Sequence, residues 1–115
     1  MEDQATLFTK IINREIPAEI IYEDDLCIAF NDINPQAPLH ALLVPKQVIP
    51  KLSDSSEQAQ SLLGHLMLTA PRIAKQQGYA DAFRLVINNG EAAGQTVFHL
   101  HIHIIAGRDL TWPPG

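Results

Sequence analysis

Apolar and polar positions follow two periods along this chain, and the switches between them mark out its elements. Leu7, Phe8, Ile11 and Ile12 make one apolar stripe at helical spacing, and Asp3 or Thr6 can cap that short helix. Pro17 ends anything helical before it. The runs from Glu19 to Glu23 and from Cys27 to Asn31 read as strands, with Asp24-Asp25 as hairpin-turn chemistry between them. Asn31 to Pro38, with two prolines and several short polar residues, is a stiff loop. His40 to Pro45 is nearly all apolar and reads as a strand covered on both faces. Lys46 to Leu52 is a connector. Ala59, Leu62, Leu63, Leu66, Met67, Ala70, Ile73 and Ala74 then recur at three- and four-residue steps, which predicts a long helix with one face on a sheet. It opens within Ser53 to Gln58, where Asp54 with Glu57, or Ser55 with Gln58, has capping-box spacing. Pro71 should bend it, Gly78 should stop it after about Gln77, and His65 falls off the stripe and faces solvent. Phe83 to Asn88 is a fourth strand and Val97 to Ile105 a fifth. Strands mostly follow strands, which predicts an α+β fold: a five-stranded antiparallel sheet with two helices against it.

The fifth strand carries the chemistry. His99, His101 and His103 alternate with Phe98, Leu100, Ile102 and Ile104. Successive strand side chains point to opposite faces, so the three imidazoles share one face at about 7 Å spacing, with the apolar residues on the other. A buried strand rarely needs three histidines on one side, and the arrangement points to a site. Two chemistries stand open. Three imidazoles can ligate zinc and leave a position free, or one can attack an electrophile while its neighbours manage charge and protons. The preceding Gly94-Gln95-Thr96 favours the second. Gly94 permits close backbone approach, and the Gln95 and Thr96 side chains can donate to phosphate oxygens.

Composition narrows the class. With 115 residues, 46% of them hydrophobic and 18% charged, the chain suits one folded domain, residues 1–115. A net charge of -5 and the absence of a Lys/Arg cluster count against a nucleic-acid partner. No apolar stretch approaches the roughly 20 residues of a membrane span. The acidic start, Met1-Glu2-Asp3-Gln4, is not a signal peptide, and the single cysteine, Cys27, fits a reducing compartment. The expectation is a cytoplasmic protein with no membrane partner.

Several separated motifs then agree. His-Leu-His-Ile-His-Ile-Ile, from His99 to Ile105, resembles the histidine-triad pattern. Asp32-Ile33-Asn34-Pro35-Gln36-Ala37-Pro38-Leu39-His40 resembles the Asp-Ile-Ser-Pro-Gln-Ala-Pro-Thr-His run of the Hint branch of the histidine triad (HIT) superfamily. Gly94-Gln95-Thr96-Val97-Phe98-His99 is similar to its Gly-Gln-Ser-Val-Tyr-His, and Trp112-Pro113-Pro114-Gly115 to its tail. The similarity runs from about Leu7 to Gly115. The uridylyltransferase branch has Gln where His103 stands, and the zinc-finger branch needs more length and more cysteines.

The resemblance implies a purine nucleoside phosphoramidate hydrolase working through a nucleotidyl-histidine intermediate, with no cofactor and no metal. His101 would be the nucleophile. His103 with Gly94, Gln95 and Thr96 would bind phosphate oxygens and help protonate the departing amine, and His99 and His40 would order the imidazoles from behind. Leu7, Phe8, Ile16, Phe30 and Ile33 would form the slot for the base, Asp32 would take the ribose hydroxyls, and Asn88 would bond near ribose and phosphate. Two departures stand out: Asn31, which would bind nucleotide at the base or ribose edge, sits where relatives often have His or Arg, and Thr96 replaces Ser. The family forms homodimers in which two sheets join, and the apolar Trp112 tail fits that habit. The competing readings are a nucleotide-binding interaction module with little turnover, a zinc protein, and a dinucleoside polyphosphate hydrolase.

Overall fold

The computed structural model describes residues 6–115. Helix α1 (Leu7–Ile12) is opened by Thr6. The Thr6 hydroxyl accepts the Thr9 backbone N–H and the Thr9 hydroxyl accepts that of Thr6, so two orphan donors are satisfied reciprocally. Asp3, the other candidate cap, lies outside the described residues.

Strands β1 (Ile20–Glu23), β2 (Cys27–Asn31), β3 (Leu39–Pro45), β4 (Arg84–Val86) and β5 (Ile102–Ala106) form one antiparallel sheet in the order β1-β2-β3-β5-β4. Helix α2 (Gln60–Gln76) lies on one face and α1 on the other. The period of two decides what each helix meets. Cys27 and Ala29 of β2, Leu39, Ala41 and Leu43 of β3, and Ile102, Ile104 and Ala106 of β5 pack with Leu66, Ala70 and Ile73 of α2. Ile28, Phe30, Leu42 and Val44 pack with Phe8 and Ile11 of α1. Both faces of β3 are therefore buried along its whole length. Each Leu or Ile taken fully from water in this way contributes about 1.5–3 kcal/mol. In β3 and β5, His40 and His103 take the α1-facing turn of the alternation, with Leu42 directly paired to His103.

The structure departs from the sequence reading at several places. Two 3₁₀ turns, Leu52–Asp54 and Glu57–Ala59, precede α2, and neither expected capping box forms. Asp54 Oδ2 instead accepts the Lys51 N–H, and the Ser56 hydroxyl donates to Gln58 Oε1. Local bonds of this kind hold the segment in short turns ahead of the helix. Helix α2 continues through Pro71, which has no N–H to give Met67. Met67, assigned to the buried stripe, is 42% exposed. Gly78 does end the helix: at φ +96° it passes the chain on, while its N–H bonds Lys75 O and that of Tyr79 bonds Ala74 O.

His65 is not a solvated bystander. Its Nε2 lies 2.7 Å from Asp24 Oδ2, which ties α2 to the β1–β2 turn. Asp24 also accepts the Tyr22 hydroxyl and the backbone N–H groups of Leu26 and Cys27. Burial pushes the Asp24 carboxyl up, but these donors together hold it well below the usual carboxylate range. Beside it, burial pushes the Cys27 thiol up to about 12.

The largest departure concerns the fifth strand. Only Ile102–Ala106 is strand, and the chain from Val97 to His101 is irregular. Phe98 is 42% exposed and does not join Leu100, Ile102 and Ile104 in the core.

Candidate active site

The irregular stretch has a cause in its own hydrogen bonds. The Leu100 N–H reaches Ile49 O, and the His99 carbonyl accepts from the His101 ring at 2.8 Å. With the Leu100 N–H and the His99 carbonyl both engaged outside the sheet, strand pairing begins only at Ile102, opposite Leu43. The imidazoles are drawn closer than a strand would hold them. The ring centroids of His101 and His103 lie 5.1 Å apart, and those of His40 and His103 5.2 Å. Phe8 of α1 stands edge-on to His101 at 4.9 Å and 6.0 Å from His99.

These contacts fix which nitrogen of each ring carries the proton, because a carbonyl can only accept and a backbone N–H can only donate. His99 Nε2 must donate to Pro45 O at 2.7 Å, leaving Nδ1 as acceptor, and Thr6 Oγ1 lies 3.2 Å from it. His101 Nδ1 must donate to His99 O, which leaves the Nε2 lone pair free. The Gln36 N–H donates to His40 Nδ1 at 3.0 Å, so the His40 proton sits on Nε2, which donates to His103 Nδ1 at 2.9 Å. His103 is then protonated at Nε2. The pair thus offers an unprotonated Nε2 on His101 beside an N–H donor on His103. Asp32 Oδ2 is farther from His40 Nε2, at 3.5 Å, and is the weaker claimant for its proton.

All three rings favour the neutral state. Burial pushes the pKa of His99 and His101 down. His103 falls to about 4, through burial and the nearby His101 and His40 rings.

The two open faces, His101 and His103, line a pocket of about 310 Å³. Of the residues expected to bind nucleotide, Leu7, Phe8, Ile16, Phe30, Asn31, Asp32, Ile33 and Thr96 line it too. Ile33 is fully exposed at the rim. Asp32 Oδ1 also accepts the Asn34 N–H at 2.8 Å, so its carboxylate both shapes the turn and faces the pocket. His40 and His99 do not line the pocket and stand behind it, buried. Ile11, Pro17, Ala18, Leu42 and Val97 complete the wall and were missed. Leu42 carried a signal, since period two from His40 puts it on the same face; Pro17 and Ala18 carried none.

Three expected phosphate-side residues are placed differently. The Gln95 side chain is only 2% exposed and is used within the loop. Its Oε1 accepts the Gly90 N–H at 2.8 Å, and its Nε2 donates to Pro50 O at 2.7 Å and Val97 O at 3.0 Å. The backbone N–H groups of Gly94 and Gln95 are likewise taken, by Glu91 O and Gly90 O. Asn88 lies outside the pocket, its amide 3.8 Å from where a Gly94 Cβ would stand. Gln95 is therefore a strut of the loop that presents Thr96.

As metal ligands, the alternating histidines do not converge, because both His99 nitrogens and His101 Nδ1 are already bonded. Among the described residues, two other groups bring ligand atoms within 4.8 Å of one another: Asp32, His40 and His103, and Asp24, Cys27 and His65. In both, the side chains already hydrogen-bond one another. Also among the described residues, no helix is long and apolar enough to cross a membrane.

Known proteins share this architecture. Residues 13–110 match the family model described as the HIT domain. An uncharacterised HIT-like protein of Synechocystis sp. is 61% identical over 110 residues, 96% of each chain. The adenylylsulfatase HINT1 of Arabidopsis thaliana is 48% identical over 115 residues, 98% of this chain and 78% of that one. Among solved structures, a HIT family hydrolase from Legionella pneumophila superposes with a TM-score of 0.94 at 41% identity, covering 96% of this chain and all of that one.

Proposed function

The chain belongs to the HIT domain family, and on that premise we propose that it is a hydrolase of purine nucleoside phosphoramidates that works through a nucleotidyl-histidine intermediate. The observation that carries the proposal is the proton arrangement at the pocket. His101 is held with Nδ1 on a carbonyl, which leaves Nε2 as a neutral nucleophile facing the cavity. His103, protonated at Nε2, is a donor for a phosphate oxygen. In the first step His101 Nε2 forms a bond to the α-phosphorus and the P–N bond to the amine breaks. The positive charge that develops on the His101 ring is spread toward the His99 carbonyl, and the Thr96 hydroxyl, exposed at the pocket edge, can relay a proton from solvent water to the departing nitrogen. In the second step water attacks the phosphorus, the phosphorus–His101 bond breaks with its electrons returning to Nε2, and the water proton is lost to solvent, so that the nucleoside monophosphate leaves and neutral His101 is restored. Leu7, Phe8, Phe30 and Ile33 suit the flat apolar faces of a purine, and Asp32 can accept both ribose hydroxyls.

The test is turnover of an adenosine phosphoramidate by wild type and by His101→Ala, with mass spectrometry of the trapped protein. The expected result is a nucleotidyl adduct on His101 and a loss of about a thousandfold or more in the variant. Equal rates would remove His101 from its role, and binding without turnover would favour the interaction-module reading. The Arabidopsis relative bears the name adenylylsulfatase, which makes adenylyl sulfate a second candidate for the same attack with sulfate as leaving group. A panel varying only the leaving group separates the two. Activity that is lost in chelator and restored by zinc would support a metal at Asp32, His40 and His103 instead.

The proposal includes a homodimer. Strand β4 lies at the edge of the sheet, and the neighbouring α2 exposes Met67 and Leu68, the latter at 65%. Leu52, Leu63, Met67 and Ile87 line an apolar cleft on the same side. A second copy joined along β4 would cover that surface.

A further inference from the structure

His101 owes its orientation to the His99 carbonyl, and His99 is itself held by the residue that caps α1. The Thr6 hydroxyl lies 3.2 Å from His99 Nδ1. Since His99 Nε2 donates to Pro45 O, Nδ1 is an acceptor and the hydroxyl must be the donor. The same oxygen accepts the Thr9 N–H, also at 3.2 Å, so its rotor is fixed from both sides. Both ring nitrogens of His99 are thus pinned, and the residue is 0% exposed. With its ring immobile at both ends, its peptide is held as well, and that peptide carries the carbonyl 2.8 Å from His101 Nδ1.

From this chain of bonds we infer that Thr6 is a positioning residue for His101, acting through His99. Without the hydroxyl, His99 Nδ1 is left as a buried acceptor with the Phe8 ring beside it. The ring then rotates toward a new partner or changes tautomer and gives up Pro45. Either movement displaces the carbonyl that aims His101 Nε2. The link has a second consequence. Leu7, Phe8 and Ile11 of the same six-residue helix form the wall of the pocket. One short helix therefore holds the slot proposed for the base and, through its cap, the triad, so that a purine seated against Phe8 presses on the element that fixes His99.

The kinetic part rests on the phosphoramidate reading, and the spectroscopic part does not. The experiment compares wild type with Thr6→Val, Thr6→Ser and Thr9→Val. Valine keeps the β-branched shape and removes the hydroxyl. Serine restores the donor. Thr9→Val removes the reciprocal cap bond, from the Thr6 N–H, and leaves the Thr6–His99 bond in place, so it shows what weakening the cap alone does. For each, kcat and KM on an adenosine phosphoramidate, the Kd of AMP, and ¹⁵N spectra of the histidine rings are measured. The expected result for Thr6→Val is a kcat lower by about ten- to a hundredfold, as for a nucleophile displaced by a fraction of an ångström to an ångström. KM and AMP affinity should stay within about twofold, because ground-state binding is untouched. Thr6→Ser should recover most of kcat, and Thr9→Val should resemble wild type. In the ring spectra, His99 and His101 should lose their Nε2–H and Nδ1–H assignments in Thr6→Val alone. A wild-type kcat in Thr6→Val, an equal loss in Thr9→Val, or a fall in AMP affinity matching the fall in kcat would overturn the inference. If wild type turns over no phosphoramidate, the functional reading fails and the ring spectra still decide: unchanged His99 and His101 tautomers in Thr6→Val would overturn the positioning role.

Discussion

Gln95→Leu tests whether the loop before the histidines is built around a buried amide or presents one to phosphate. Leucine keeps the volume and removes the polar atoms. Three hydrogen bonds go with them: Gly90 N–H to Oε1, and Nε2 to Pro50 O and Val97 O. Each is worth about 1 kcal/mol net, and a stranded buried partner costs about 1–3 kcal/mol. Gly90 and Pro50 are only half-buried, so water can reach part of what is left. The expected loss is about 2–4 kcal/mol of unfolding free energy, read as a lower urea midpoint at unchanged m-value. Gln95→Glu adds a sign to the test. It sets a carboxylate oxygen against two carbonyls, so the folded state raises its pKa, and stability should fall as pH rises above about 4.3. A Gln95→Leu protein within about 0.5 kcal/mol of wild type but with weakened nucleotide binding would refute the strut and return Gln95 to the phosphate.

Four further outcomes follow from the same contacts. Because folding lowers the pKa of His99, His101 and His103, the unfolded chain binds more protons; stability should be complete above the ordinary imidazole value of 6.5 and decline as pH falls toward about 4, measured as urea midpoints across that window. Asp24→Ala releases the Leu26, Cys27, Tyr22 and His65 donors together and should cost about 2–4 kcal/mol in the same assay. Cys27, fully buried with its thiol pushed up to about 12, should resist an aromatic disulfide reagent at neutral pH in the native chain and react at once in denaturant. Leu68→Glu should leave the fold intact, because that side chain is 65% exposed, and should yield monomers in sedimentation if α2 and β4 meet a second copy.

What could be read beforehand depended on how local its cause was. Strand β2 was delimited to the residue and β3 to within one, because glycine-free, mostly apolar runs between turn residues leave little choice. The shared face of His40 and His103 is a product of paired strands of period two. The errors share a different origin. His65 bonds a residue 41 positions away, and Gln95 one 45 positions away, so neither partner shows in the pattern around it. A polar residue on the rim of a helix stripe, or after a glycine in a loop, looks solvated until the fold delivers its partner. The triad strand starts late, at Ile102 rather than Val97, for a related reason: the His99 carbonyl is engaged by a ring two residues on, a contact that alternation of residue types does not encode. Helix α2 began late because several adjacent polar residues could each close a local turn, and the spacing rule could not choose among them.

Ile33 stands wholly in water at the pocket rim, and Leu7, which also lines the pocket, is half exposed. A flat ligand that slides between them strips ordered water from both, and removal of apolar surface from water carries a negative change in heat capacity. Titration calorimetry at several temperatures would therefore show binding that becomes more exothermic on warming while its free energy barely moves. Replacing Ile33 with Ser should flatten that temperature slope, which makes one side chain at the rim a thermodynamic reporter of where the base goes.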